Sequence, residues 1–500
     1  MKRSLIYLLV ASSILSIGCS EDFLDPVRNT GVITSEDIAN NLDLNPALLE
    51  GSLNGIGSLL ITPGGVAGTG RHYDLGQKGV DIWLDMLSGD VALSANSYGW
   101  YENTANLVST VDFSREENSI IWRYYYKVIA LSNNVINSVG GNDAVPTTTN
   151  GRHILGQAKA YRAYAYFYLA QIFQRSYDPS MPILPYTDGD INNISFAKVP
   201  ASQIYDLILS DLNDAITLLD DFTPDSKQKV NKYIAKGLLA YTHAAMGNYP
   251  DAKVVADEII NSGAYPLTTR GQLAFPGAGA GFNDVATPSW MWAYDITTEM
   301  GHQLVNWWGQ MDYFTYSYQW AGDRKTIDTG LLALIPSNDI RRTQFGTSGT
   351  TNRMPINKFF APARTIGGQQ IITTDYLFMR VDEFYLLSAE AAAKSNNEPA
   401  AKARLKEFLA ARLASPADVD AYVDPLTGNA LKEAIYRQTR IEFWGEGKSY
   451  LAMKRNGATV SRGTNHVFRA GQSFLFDSDE MSFQIPQLEL DNNPQITGQN

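Results

Sequence analysis

The sequence predicts an all-α protein in which helical hairpins stack into a right-handed superhelical scaffold, interrupted by one long, irregular, aromatic-rich insert. Three observations predict it. Apolar residues recur at helical spacing over most of the 500 residues. The stretch Lys229 to Gly263 reads as a complete helical hairpin. Residues 264–374 break that rhythm with a glycine-rich run from Pro276 to Gly281, then gather Trp290, Trp292, Trp307, Trp308, Tyr313 and Trp320.

The hairpin turns at Met246-Gly247-Asn248-Tyr249-Pro250. Small residues recur where its two helices must lie close: Ala235, Ala240, Ala244, Ala252 and Ala256. Gly247 can take the left-handed conformation that ends the first helix, and Pro250 suits the first turn of the second. On the tetratricopeptide (TPR) pattern, Leu239, Ala240, Gly247, Tyr249 and Ala252 fall on signature positions, whereas His243 and Ile259 do not. One hairpin cannot bury its own apolar face, so others must stack on it.

From the N-terminus, Met1-Lys2-Arg3 is a basic start and Ser4 to Ile17 an apolar run too short to span a bilayer, so residues 1–18 read as a signal peptide. Cys19 is the only cysteine, which rules out an intramolecular disulfide. A single cysteine at the cleavage point looks like the lipobox of a bacterial lipoprotein, with Cys19 as the lipid attachment residue. Ser16 stands where leucine is commonest, and a plain signal peptide is the alternative. Residues 19–33 read as an acidic tether and 34–500 as a single unit.

A helix can start at Thr34 to Asp37, and Leu48, Leu49, Leu53, Ile56, Leu59 and Leu60 continue a helical stripe. Pro63 to Gly79 reads as a flexible surface loop, because its glycine spacing fits neither nucleotide-binding pattern. Ser114 and Glu117 form a capping box for a helix carrying Ile120 to Ile136. Leu155 to Phe173 follows, and its tyrosines read as core before ligand platform. Ser202 to Asp220 keeps the helical period ahead of the hairpin. Inside the insert, Trp290-Met291-Trp292 alternates like a half-buried strand. Helical signal resumes at Asp375. A second hairpin at Asp382 to Ala414 turns at Asn396 to Pro399, a short helix starts at Ser415-Pro416, and Ala430 to Arg455 reads as one long helix. TPR-like helices are thus expected within 115–263 and 375–455.

A net charge of −12 argues against nucleic acid as a partner, since phosphate neutralisation needs a basic face. The five histidines, His72, His153, His243, His302 and His466, show no metal-ligand spacing, and no Gly-x-Ser-x-Gly elbow is present. These absences argue against a hydrolase. The run Arg437, Arg440, Glu442, Glu446 and Lys448 reads as a salt-bridge network, not an active site. No catalytic residue, metal or cofactor is assigned.

The order of several segments resembles a known family. Cys19 with Asp22-Phe23-Leu24-Asp25, the Ala/Arg/Tyr-rich helix Gln157 to Phe167, and Pro182 to Pro185 come first. Arg380-Val381-Asp382-Glu383, Ala389-Glu390-Ala391, Arg440 to Phe443 with Glu446-Gly447, Lys454 to Gly457, and the ending Phe483 to Pro486 follow. Together they resemble the SusD/RagB outer-membrane nutrient-binding lipoproteins of the Bacteroidetes. Gln438 and Thr439 depart from the usual Glu-Arg, and Ala452 from a common Asp. The resemblance implies a TPR-containing helical fold, lipid-anchored exposure on the outer membrane, and a TonB-dependent, SusC-like transporter as partner. It implies binding without catalysis.

A sugar ring offers an apolar C–H face to indole or phenol, while its hydroxyls need polar groups at the edge. Two stretches combine these, Tyr98 to Asn103 and Trp307 to Arg324. Trp100, Tyr101, Asn103, Tyr316 and Trp320 are the expected ligand contacts, with Asp323 or Arg324 as the polar edge. Capture of a glycan or oligosaccharide for the transporter is the expected function; a peptide ligand or a TPR protein–protein adaptor is the alternative.

Overall fold

The computed structural model describes residues 47–68, 70–187, 189 and 195–500. The signal peptide, Cys19, the acidic tether and the helix start at Thr34 lie outside the described residues, as does part of the loop from Ser176 to Pro200.

Helices α1 (Ala47–Ile61) and α2 (Gln77–Leu87) precede a consecutive array: α3 (Glu116–Ser138), α4 (Thr149–Phe173), α5 (Ala201–Leu218), α6 (Lys232–Ala245) and α7 (Tyr249–Asn261). From α4 on, each packs against its predecessor. After α7 the chain leaves the array and returns as α8 (Asp382–Lys394), which packs directly on α7, so the TPR-like stacking continues across the insert. Helices α9 (Glu398–Leu409), α10 (Pro416–Val423), α11 (Gly428–Glu442) and α12 (Ser449–Asn456) complete it. Little sheet is present among the described residues, as four two-stranded antiparallel pairs.

Local chemistry sets the helix ends. The Asn231 side chain accepts the N–H groups of Tyr233 and Ile234 at 2.9 and 3.1 Å, capping α6. Asn397 and Ser415 cap α9 and α10 in the same way, and each of these two helices begins with a proline in its first turn. Gly247 has φ +82° and ends α6 as anticipated. The five alanines of the hairpin are buried. Gly237 lets α6 approach α8: a Cβ there would sit 2.5 Å from the Phe384 ring and 2.7 Å from the Met379 sulfur.

Several expectations are revised. The helix placed at Ala430 to Arg455 is two, because the chain breaks at Phe443 to Lys448. Gly447 there has φ +75°, its N–H donates to Asp85 at 3.0 Å, and any Cβ would strike Asp81. Asp375 starts no helix; Tyr376–Arg380 is a strand paired with Trp290–Tyr294, and every residue of both is buried, so the pair is a two-faced core ribbon. The box at Ser114 does not form. Its hydroxyl bonds Asp112 instead, while Glu117 accepts from Asn103. Gly76 to Gly79 belongs to no surface loop but to the buried start of α2, where Lys78 pairs with Asp81 at 2.8 Å. The tyrosines of α4 are all buried, with Tyr161 at the wall of a cleft.

The predicted charge network binds insert to scaffold. Glu442 of α11 accepts from three buried arginines: Arg380 at 2.8 Å, Arg412 at 2.7 Å and Arg341, from the insert, at 3.0 Å. Lys358 and Arg380 reach Glu446 at 2.7 and 2.8 Å, Lys448 faces Glu383, and Arg440 holds Asp90 at 2.6 Å. Arg437 takes no ion-pair part in it among the described residues. Gln438 accepts from Arg341, a neutral group serving the buried guanidinium. Burial pushes Glu442 up, but the three guanidiniums outweigh it and hold the carboxyl well below the usual range.

Candidate ligand-binding site

The two aromatic stretches lie more than 200 residues apart in sequence and are joined by one short ribbon. Val91–Leu93 pairs antiparallel with Lys325–Ile327, Leu93 opposite Lys325. The pairing runs on past the strands, with Ser94 N–H donating to the Arg324 carbonyl at 2.8 Å and Arg324 N–H to Ala95 at 3.0 Å. Asp323, fully buried, then closes the junction: its carboxylate accepts the N–H groups of Tyr98 at 2.7 Å and Trp100 at 3.0 Å.

The result is an aromatic ledge. Tyr98, 60% exposed, meets Tyr318 edge-on at 5.0 Å between ring centroids, and Trp100 meets Tyr318 at 5.7 Å and His72 at 4.6 Å. The one-turn helix Tyr318–Ala321 also carries Trp320, whose indole lies 5.3 Å from the Tyr316 ring, tilted by 36°. These two are 36% and 44% exposed. Gly367 underlies Trp320: a Cβ there would come within 3.0 Å of the indole.

Of the residues chosen from sequence, Trp100, Tyr316 and Trp320 keep accessible aromatic surface. Tyr101 does not. It is 2% exposed, with φ +67° and the Lys325 amine 5.1 Å over its ring, so it supports the ledge from below. Asp323 is likewise a tether, its oxygens spent on backbone. Asn103 donates to Glu117 at 3.0 Å and ties the stretch to α3. Arg324 turns to a separate polar recess. Tyr98 and Tyr318 complete the ledge, and both sat inside the stretches already singled out; His72, buried, packs against the Trp100 and Tyr318 rings from beneath and had no local signal.

Beneath the ledge the electrostatics are set by burial. Lys325 Nζ donates to Gln310 at 2.8 Å and to the Asp323 carbonyl at 3.1 Å, and burial lowers its amine to about 7 despite the nearby Asp323 charge. Burial and that amine bring His72 down to about 4, so its ring is neutral.

A large cleft of about 850 Å³ adjoins, between one face of α1, the middle of α4 and segment 300–305. The hydroxyls of Tyr161 and Tyr294 meet within it at 3.3 Å, with the amides of Asn54, Gln157 and Gln228 on its walls. Ser317 Oγ donates to the Leu304 carbonyl at 3.0 Å, which puts the cleft wall next to the residues bearing Tyr316 and Trp320. Its volume is in the range of roughly 300–1,000 Å³ common to small-molecule sites. No local stretch announces it, since its lining comes from segments far apart.

A family model described as "Starch-binding associating with outer membrane" matches residues 76–242, and a second, the SusD family, matches residues 313–500. Among solved structures, a SusD-like carbohydrate binding protein from Bacteroides vulgatus superposes with a TM-score of 0.74 at 23% identity, over 90% of this chain and 97% of that one. A SusD superfamily protein from Bacteroides thetaiotaomicron gives 0.73 at 20% identity, over 91% and 99%. The surface glycan-binding protein A of Bacteroides uniformis gives 0.66 at 16% identity, over 91% and 99%. No curated protein matches the sequence. At such identities the structural likeness establishes the fold, and membership rests on the two sequence models, which take in both halves of the ribbon beneath the ledge. The chain belongs to the SusD/RagB family.

Proposed function

We propose that the protein is a surface lipoprotein that captures an oligosaccharide on the aromatic ledge and delivers it to a TonB-dependent, SusC-like transporter in the outer membrane. It is anchored through Cys19 and binds without turning its ligand over. The observation that carries the reading is the grouping of accessible rings on a two-segment junction: Tyr316 with Trp320, and exposed Tyr98 with half-buried Trp100 and Tyr318. Rigid aromatic surface takes the apolar face of a sugar at little entropic cost. The adjoining cleft supplies neutral amides and phenols for hydroxyl groups. The family, and structural neighbours that are carbohydrate- or glycan-binding proteins, support the same ligand class.

Titration calorimetry with maltohexaose, xylohexaose and a mannan hexasaccharide tests the reading. Saturable binding of at least one is expected. Trp320→Ala should then cost about 2 kcal/mol, roughly thirtyfold in affinity. Mass spectrometry should recover the bound sugar intact. Saturable binding of peptides with none of any sugar, or cleavage of the sugar, would overturn it.

A further inference from the structure

Arg324 opens on a recess of about 390 Å³ whose lining is mostly polar. Arg353 lines it too, with Thr326, Thr350 and Asn352, and no aspartate or glutamate contributes to the lining among the described residues. Neither guanidinium has an ion pair or a side-chain hydrogen bond among the described residues, and Arg324 Nε is buried without any partner. The acids nearest in sequence are committed elsewhere. Asp323 accepts from the backbone of Tyr98 and Trp100. Asp328 faces His466 at 3.2 Å and accepts the N–H groups of Leu331 and Gly463.

Two half-buried guanidiniums without a counter-ion are the reverse of what a chain of net charge −12 supplies by chance. Partial burial removes water from them, and an unmatched charge in such a place costs free energy until an anion arrives. Their position is fixed in advance. Arg324 is held by the ribbon, and the Arg353 carbonyl accepts the Ile327 N–H of that ribbon at 3.0 Å, while its own N–H donates to Gly346 at 2.7 Å. The planar donor fork of arginine matches two oxygens of a carboxylate or a sulfate, and threonine hydroxyls can take up the rest.

We infer that this recess binds the oxyanion, a carboxylate or sulfate ester, of an acidic sugar whose neighbouring rings lie on the aromatic ledge. The inference rests on the glycan-binding reading and narrows its ligand class. One peptide bond joins the two sites: Asp323 holds the ledge and Arg324 faces the recess.

Calorimetry in low-salt buffer with hexagalacturonate, a chondroitin sulfate hexasaccharide and neutral maltohexaose tests it on the wild type, Arg324→Gln, Arg353→Gln and Trp320→Ala. One acidic hexasaccharide should bind at least about tenfold more tightly than maltohexaose. Either arginine substitution should erase that preference and leave neutral binding unchanged, and Arg437→Gln, the same charge change on α11, should leave it intact. Inorganic sulfate should compete, and chloride at equal ionic strength should compete less. Equal affinity for acidic and neutral probes, acidic binding that survives both arginine substitutions, or no binding of either acidic probe overturns the inference. Loss of neutral binding in Trp320→Ala with no arginine effect leaves the ledge standing and the recess refuted. Arginine dependence with an inert Trp320→Ala does the opposite.

Discussion

Asp323 shows how one buried side chain can shape a proposed binding surface through that surface's backbone alone. Its two oxygens take the N–H groups of Tyr98 and Trp100, donors that would otherwise be left without a partner beside the buried ribbon. Asp323→Ala is expected to loosen residues 97–100, seen as faster amide exchange there, and to weaken sugar binding while the Tyr316–Trp320 pair stays in place. Unchanged exchange would remove its tethering role. Lys325 gives a second residue-level test. Its amine is lowered to about 7 by burial, against an ordinary 10.5, so the unfolded chain binds the extra proton between those values. Stability therefore rises with pH across that window, and the gain is absent below it. Lys325→Met should flatten the rise in unfolding free energy between about pH 7 and 9, read from urea denaturation, by up to about 1.4 kcal/mol per pH unit. Parallel wild-type and variant curves would contradict it.

At the level of elements, the break between α11 and α12 and the return of the chain at α8 meet in one buried cluster. Glu442 alone faces Arg341 from the insert, Arg380 beside α8 and Arg412 beyond α9. Removing its charge breaks three buried ion pairs at once and leaves Arg341 to Asp339, Arg380 to Asp382 and Glu446, and Arg412 to Asp382; breaking a buried pair costs about 3–5 kcal/mol. Glu442→Gln should lower the denaturation free energy at neutral pH by that order, read from urea unfolding; a change below about 1 kcal/mol would mean that the cluster is dispensable. Since the carboxyl is held well below its usual range, its stabilising share is present above the ordinary carboxylate pKa and is lost only as pH falls to the depressed value. The helices needed no such help to be recognised. The α6–α7 hairpin was legible because its caps, small residues and period are local, whereas the turn at Phe443 to Lys448 was hidden in a continuous helical pattern and exists because Lys358, Asp85 and Asp81 come to meet it.

For the whole molecule, the proposed roles divide between scaffold and insert. The hairpins form a continuous array, and the insert they enclose carries Tyr316, Trp320 and the strand that recruits Trp100. No helix of the described residues is long and apolar enough to cross a membrane. The proposed role places attachment at Cys19. Cys19→Ser should move the protein from the membrane fraction to the soluble fraction on cell fractionation, with oligosaccharide affinity unchanged. Retention in the membrane with an acyl group still attached would refute that anchor.

What the sequence determined by itself was the helical architecture, the hairpin positions, and through the order of its segments the family. Each of these rests on neighbours within a few residues, where hydrogen-bond geometry and apolar period are written directly. The proposed site was only half written. Sequence pointed to the two aromatic stretches, but tertiary structure decided which rings face out. It buried Tyr101, turned Asp323 into a tether and set Arg324 beside Arg353. The physical reason is register: the pairing of Val91–Leu93 with Lys325–Ile327 spans more than 200 residues, and no local periodicity encodes a contact of that range.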